Sequence, residues 1–429
     1  MSAGPEERRA RAAWSALVEP GDAVAGALVA ALGPHEAWDR VERAIRAGRD
    51  ARVGVDDVLG ARGDLCSGVD DVPGAAGRAG VDRGEPTGGL AGEIDGGKGA
   101  GTSTRARLAR ALERWAPRAQ TLDVARQLDV LAGLGGTFLV PGDDGWPTAL
   151  DALGPTAPFG LWVRGTSDLA PAGSRSVAVV GARAATTYGE RVAHDLASGL
   201  ADRGVAVVSG GAFGIDAAAH RGALARAGCT VVVLAGGVDR AYPRGNARLL
   251  DAVVAEGGAV VSEVPVGSSP TRVRFLQRNR LIAGIGTATV VVEAAWRSGA
   301  ISTAYHAAGL LRPVGVVPGP VTSVASAGCH RLLRSGVAVC VTDAAEVLEL
   351  AGIAGPAPEP RAVPPGPGDG LPEHVRRVLD ATSWRRALEP TALAAAAVVS
   401  VAEVHGALGL LELDGLVRRE GAGWLRARR

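Results

Sequence analysis

Two stretches of this 429-residue chain carry residue types that could do chemistry. The first, Val205–His220, reads V-A-V-V-S-G-G-A-F-G-I-D-A-A-A-H. Four apolar, mostly β-branched residues stop at Ser209, Gly210 and Gly211, and after Gly214 an Ala-rich run leads to His220. That is a strand, a tight glycine turn and a helix. Such a turn aims backbone N–H groups at one point, and the helix adds its own unpaired donors and the positive end of its dipole. An anion, above all a phosphate, is stabilised there. The second stretch, Thr271–Arg280, reads T-R-V-R-F-L-Q-R-N-R. Arg272, Arg274, Arg278 and Arg280 lie in a segment with no acid between Glu263 and Glu293, and Phe275 sits among them in a chain with only four phenylalanines. Guanidinium groups hold phosphates and a ring stacks on a base, at about 1–3 kcal/mol per base. Arg/Phe interleaving of this kind points to single-stranded nucleic acid. Asn279 is placed to bond a base edge or to cap a local turn.

Further glycine or serine turns follow apolar strands at Gly181–Arg183, at Gly236-Gly237, and at Ser298-Gly299 after Glu293. Turns that follow parallel strands lie at one sheet edge, so together they can bind successive phosphates of a polymer, or one nucleotide. Arg183 adds charge at the first turn. Asp216, Gly236, Gly237, Glu293, Ser298 and Thr303 are expected to support the pocket. The plainer reading is that the glycines only close tight turns and that Phe275 is core. Asp216 and His220 stand i, i+4 on one helix and can face each other. No Ser or Cys nucleophile has an evident base beside it, so the expectation is a binding protein without catalytic residues. Hydrolysis of a nucleotide phosphate is the enzymatic alternative. A dinucleotide site is disfavoured, because G-A-R-A-A-T-T-Y-G (Gly181–Gly189) and G-G-A-F-G both fall short of G-x-G-x-x-G, and no acid ends the strand that follows.

The elements that must position these residues are regular from Ser176 onward. Apolar strands at Val177–Val180, Val205–Val208, Thr230–Leu234, Ala259–Val261, Thr289–Val292, Val314–Val317 and Val337–Val341 alternate with helical stretches, including Ile215–Arg226 and Gln277–Ile285. The alternation predicts an α/β fold: an extended Rossmann-like, doubly wound, mostly parallel sheet with ligands outside the carboxyl ends of its strands. Residues 1–135 read as an N-terminal helical domain, with helices at Arg8–Val18, Asp22–Leu32 and Pro34–Ala47. It is interrupted at 51–103 by a segment with 15 glycines that reads as disordered. Residues 136–351 form the sheet domain and 352–370 a Pro/Gly linker. Residues 371–429 suggest three helices and a hairpin, the outline of a winged helix. The third of those helices, within Ser400–Asp414, has no Arg or Lys but carries Glu403, Glu412 and Asp414. That argues against base reading in a major groove and so against a transcriptional regulator.

Net charge is only +1, and nearly every cation is arginine. Any nucleic-acid contact must therefore be a local patch of forked, bidentate donors. No apolar run reaches the length of a transmembrane helix, and the first residues lack the apolar core of a secretory signal. No membrane partner is expected, and the cytoplasm is the expected location. The four cysteines are far apart with no C-x-x-C, so neither a metal nor a redox site is expected. No cofactor is expected either.

The ordered motifs V-A-V-V-G-A-R (Val177–Arg183), S-G-G-A-F-G-I-D-A-A-A-H (Ser209–His220), L-A-G-G-V-D-R-A-Y-P (Leu234–Pro243), S-E-V-P (Ser262–Pro265), F-L-Q-R-N-R-L-I-A-G (Phe275–Gly284), V-V-E-A-A-W-R-S-G-A-I-S-T-A (Val291–Ala304) and V-P-G (Val317–Gly319) resemble those of the DNA-processing protein A (DprA, or Smf) family. The resemblance covers about Asp143–Leu350. It implies a Rossmann-type protein that binds single-stranded DNA without a demonstrated reaction, protects incoming strands in natural transformation and recombination, loads the RecA recombinase, displaces single-strand-binding protein and works as a homodimer. On the matched motifs it assigns Arg183 to a phosphate, Ser209, Gly210 and Gly211 to the anion turn, Phe275 to the pocket aromatic with Arg272 before it, and Arg278 and Asn279 to the family's Arg-Asn pair. It also implies an optional helical domain at the N-terminus and an optional winged helix at the C-terminus. Trp146 in place of the family's usual Tyr, and His330 in place of Asn, depart from the pattern.

Overall fold

The computed structural model describes residues 3–47, 51–59, 100–354 and 370–427. They form two compact units, Met1–Ala357 and Pro358–Arg429. The chain opens with helices α1 (Pro5–Leu17), α2 (Ala23–Leu32) and α3 (Pro34–Arg46). Proline at the first turn and Glu6 and Glu7 start α1, while the Asp22 carboxylate accepts from the Val24 and Ala25 N–H groups to cap α2. Their apolar faces close on Trp14, whose ring lies edge-on to Trp38 and Trp115 and stacked on Phe159.

The Gly-rich segment starts later than its composition suggests. Ala51–Leu59 is a helix, α4, and Val55, Val58 and Leu59 are buried at helical spacing. An average over many glycines hides one amphipathic turn pair. Ala100–Ala119 is likewise helical, α5. The rest of the expected disordered insertion, 60–99, and most of the linker, 355–369, lie outside the described residues.

Helix α6 (Val124–Gly133) leads into strand β1 (Gly136–Leu139) and, after a 3-10 segment, β2 (Leu161–Gly165) and the short α7 (Ala170–Ser174). The alternating portion then runs β3 (Ser176–Val180), α8 (Thr187–Ala201), β4 (Ala206–Gly210), α9 (Ile215–Leu224), β5 (Thr230–Leu234), α10 (Ala247–Ala255), β6 (Ala259–Ser262), α11 (Arg272–Ile285), β7 (Ala288–Val291), α12 (Gly299–Gly309), β8 (Val314–Val316), α13 (Ala327–Arg334), β9 (Val339–Cys340) and α14 (Ala344–Leu350). One nine-stranded sheet results, in the order β1-β2-β6-β5-β4-β3-β7-β8-β9. Every pairing from β6 to β9 is parallel, while β1–β2 and β2–β6 are antiparallel. This is the expected doubly wound, mostly parallel sheet. Its valine-rich strands are buried on both faces, as parallel sheets require. The strand order reverses between β3 and β7, which opens a crevice at the carboxyl edge.

The N-terminal helices do not form a separate body. The Trp162 indole donates to Ser15 Oγ (3.1 Å), Arg8 pairs with Asp143 (2.8 Å), and Gly26 lies against the Pro155 backbone. A boundary at 135/136 therefore cuts through one core. The residue departures are packing changes: Trp146 is buried and donates to Asp151 (3.0 Å), and His330 Nε2 lies 3.0 Å from the Gly319 carbonyl. The second unit has α15 (Glu373–Ala381), α16 (Pro390–Ala397), α17 (Val401–Leu413) and an antiparallel pair, β10 (Val417–Glu420) with β11 (Gly423–Arg426). Ser400 and Glu403 form a capping box at α17.

Candidate nucleic-acid interface

Helix α11 begins at Arg272, five residues before the start that the sequence suggests, because Thr271 caps it by accepting from the Arg274 N–H (3.2 Å). The arginine stretch is therefore wound at about 100° per residue rather than extended. Winding divides the four arginines. Arg272, Phe275, Leu276, Arg278, Asn279 and Ile282 share one face, and all six line a cavity of about 580 Å³ at the carboxyl edge of the sheet. Arg274 turns away to Glu19 (2.9 Å). Arg280 also turns away and pairs with Glu263 at 2.6 Å, with both side chains buried. Arg280 is thus an internal residue and not the phosphate contact expected of it.

The opposite wall is built by strand-end turns. Gly181 and Arg183 follow β3, Ala212 follows β4, and Ser298, Gly299 and Thr303 come from the start of α12. A smaller pocket of about 140 Å³ continues past Gly211, Phe213, Gly236 and Tyr242. Between the walls, the Arg183 guanidinium carbon lies 4.5 Å from the centre of the Phe275 ring, and that of Arg278 lies 5.9 Å away on the same ring. The Tyr242 ring is tilted against Phe275 at 5.6 Å. The aromatic and the turn expected to face one groove do so. Phe275 is half-buried, and Arg183 and Arg272 are exposed. Among the described residues neither of these arginines forms a salt bridge.

Other expected contacts are structural. Ser209 is buried, and its hydroxyl donates to the Val179 carbonyl (2.6 Å), tying β4 to β3. Gly210 is internal too. A Cβ there would fall 2.5 Å from Asp216 Oδ2 and 2.6 Å from Arg278 Nη1, so only glycine lets these two groups approach. Gly214 has φ +72° and packs against the Ala182 and Arg183 carbonyls, which seats the β4 turn on the β3 turn. Gly237 lies outside the cavity lining and donates its N–H to Ser268 (2.9 Å). Glu293 is buried and accepts from the Thr186 N–H (2.9 Å) and hydroxyl (2.5 Å), which fixes the start of α8. Asn279 donates to the Gly299 carbonyl (3.2 Å) and joins the two walls.

Sequence reading passed over Tyr242, Phe213 and Asn246. Asn246 donates to both the Gly211 and Ala212 carbonyls (3.0 Å each), so the turn is shaped before any ligand arrives. The available signal was two aromatics, Phe213 within the turn after β4 and Tyr242 a few residues after Gly236-Gly237, in a chain poor in aromatics.

Burial pushes the Arg278 guanidinium down to about 10, with Arg183 adding to the effect and Asp216 opposing it, so it stays charged at neutral pH. Burial raises the Asp216 carboxyl, against the pull of Arg278 and the Ala212 N–H. Arg183, Arg272 and Arg278 outnumber this single acid, and the groove is positive.

His220 does not face Asp216. Its Nε2–H donates to the Gly210 carbonyl (2.9 Å), and Nδ1 lies 2.7 Å from the Thr230 hydroxyl oxygen. Burial lowers its pKa from 6.5 to about 4. A depressed folded value contributes stability above pH 6.5 that is lost as pH falls through about 4, on the order of 3 kcal/mol. Asp216, with a raised value, acts in the opposite sense and loses its contribution as pH rises. Denaturant titrations at pH 7 and pH 4 should therefore show a smaller acid loss in His220→Gln than in the parent chain. Equal losses would place the acid sensitivity elsewhere. Among the described residues no group of three His, Cys, Asp or Glu side chains could hold a metal ion, and no single helix is long and apolar enough to cross a membrane.

Comparison with known proteins bears on this geometry. The model of the family described as DNA recombination-mediator protein A matches residues 137–352. A putative DNA processing protein DprA of Mycobacterium tuberculosis is 44% identical over 314 residues, covering 70% of this chain and 79% of that protein. DNA processing protein DprA of Streptococcus pneumoniae is 38% identical over 212 residues, 48% of this chain and 71% of the relative. The X-ray structure of the Streptococcus pneumoniae protein superposes with a TM-score of 0.50 at 32% identity, covering 57% of this chain and 84% of that one. The chain belongs to the DNA recombination-mediator protein A family, the DprA/Smf proteins.

Proposed function

We propose that this protein binds single-stranded DNA in the groove between the strand-end turns and α11, as a recombination mediator rather than an enzyme. The carrying observation is the Phe275 ring held under the Arg183 guanidinium at the mouth of a glycine turn. Guanidinium groups and turn amides suit phosphates of any sequence, and an exposed ring suits any base. Candidate polar groups are engaged in the fold, Glu293 by Thr186, His220 by Gly210 and Thr230, and the groove acid Asp216 by the Ala212 N–H (3.4 Å), which supports binding without turnover. In keeping with the family, the reading extends to protecting incoming strands in natural transformation, loading RecA onto strands coated with single-strand-binding protein, homodimer formation and a cytoplasmic site of action. The three helices and hairpin of the second unit read as a winged helix whose acidic third helix does not read bases.

Titration with oligo-dT and with duplex, at several salt concentrations, tests the proposal. Tighter binding to oligo-dT with a negative salt slope is expected, at about 0.7 per phosphate contacted. Equal or tighter binding to duplex would overturn it. Release of free base from nucleoside monophosphates would favour the hydrolase alternative.

A further inference from the structure

The groove has two ends, and the one beside β7 continues into a feature that the reading above leaves unused. From Val264 to Thr342 the chain carries eight arginines and one carboxylate, Glu293, and that carboxylate is buried against Thr186. Two of these arginines, Arg274 and Arg280, are paired with Glu19 and Glu263, but among the described residues Arg272, Arg297 and Arg331 form no salt bridge, so this part of the carboxyl edge keeps a local excess of positive charge. Ser298 and Gly299 line the groove. Two residues before them Trp296 is 55% exposed, an unusual exposure for the largest apolar side chain. The Arg331 guanidinium carbon lies 5.2 Å from its ring centre. This repeats the arrangement of Arg183 on Phe275, one strand further along the edge. The loop is held from both sides. Asn279 donates to the Gly299 carbonyl (3.2 Å), and the Gly328 N–H at the start of α13 donates to the Ala294 carbonyl (2.7 Å). Ring and cation are thus presented by fixed backbone and not by a free loop.

We infer that Trp296 with Arg331 is a second stacking platform, onto which single-stranded DNA passes as it leaves the Phe275 groove across the ends of β7 and β8. This inference rests on the proposed DNA-binding role of that groove. A ring with a guanidinium beside it keeps area free for a base, and the guanidinium can meet the adjoining phosphate. The platform extends the site and tolerates any sequence, because every base has a π-face.

The test uses the full chain and oligo-dT of two lengths. One is about 4 nucleotides, enough for the groove, and one is about 16, enough to run past it. Trp296→Ala should weaken the long oligonucleotide at least about fivefold and leave the short one unchanged, while Trp296→Phe keeps most of the affinity. Arg331→Ala should lower the salt slope for the long oligonucleotide by about 1. Melting curves of each variant show that the fold persists, as expected for an exposed ring and a half-buried surface arginine. Unchanged long-oligonucleotide binding in Trp296→Ala, with Phe275→Ala weakened on both lengths, overturns the platform and leaves the groove standing. Equal loss on both lengths also overturns it, since Trp296 would then act on the groove itself. If Phe275→Ala binds both lengths like the parent chain, the underlying reading of the groove is what has failed.

Discussion

Arg183→Glu combined with Phe275→Ala is expected to abolish binding to oligo-dT at physiological salt while the fold survives. Phe275 is half-buried at the groove face of α11, so removing its ring leaves the sheet core intact. Losing one stacked base costs about 1–3 kcal/mol, or roughly a fivefold to 150-fold loss of affinity. Arg183→Glu removes a phosphate partner, lowers the salt slope by about 1 and sets a carboxylate beside incoming phosphates. The two side chains touch, with the guanidinium carbon 4.5 Å from the ring centre, so their effects should not add. Contacting residues show coupling energies of about 0.5–3 kcal/mol. A filter or gel-shift assay on both single variants and the double variant checks this. Parental affinity in the double variant would remove the groove from the function altogether.

Arg280→Met should act on stability and hardly on DNA binding. The Arg280–Glu263 pair is buried, at 4% and 7% side-chain exposure, and joins α11 to the residue that follows β6. Among the described residues Arg280 Nε and Nη1 and Glu263 Oε2 have no hydrogen-bond partner, so the charges lean on each other. Removing one member of such a pair leaves a buried, uncompensated charge and costs about 3–5 kcal/mol. Replacing both with apolar residues of similar volume, Arg280→Met with Glu263→Leu, should recover most of that loss, because a buried pair gains little net stability over a packed apolar one. Denaturant midpoints read both effects. Below its melting temperature Arg280→Met should bind oligo-dT within about twofold of the parent, whereas Arg272→Ala should lower the salt slope by about 1. A large loss of affinity in folded Arg280→Met would restore Arg280 to the interface.

These two outcomes separate arginines that are neighbours in one motif, and they show where sequence reasoning is strong. Strands, turns and most helices of the sheet domain follow from local rules. A β-branched run stops at glycine, a proline or an Asp starts a helix, and α2, α3 and β5 fall within a residue of the predicted bounds. Among the described residues, the Gly-rich segment misled where its average concealed a short amphipathic helix at Ala51–Leu59 and the start of the helix at Ala100–Ala119.

By itself the sequence determined the doubly wound sheet, the glycine turn after β4, and the presence of a positive aromatic segment facing it. Each of these is encoded by residues within one turn or one strand of each other. Tertiary structure alone decided which members of that segment reach the groove. Arg274 and Arg280 are drawn off by Glu19 and Glu263, while Tyr242 and Asn246 are brought in from the connection between β5 and α10. Glu19 is 255 residues from Arg274 in the chain, and no local periodicity reports a charge that distant. The rotational setting of α11 therefore came from long-range ion pairs and packing, to which the hydrophobic pattern of one helix is blind.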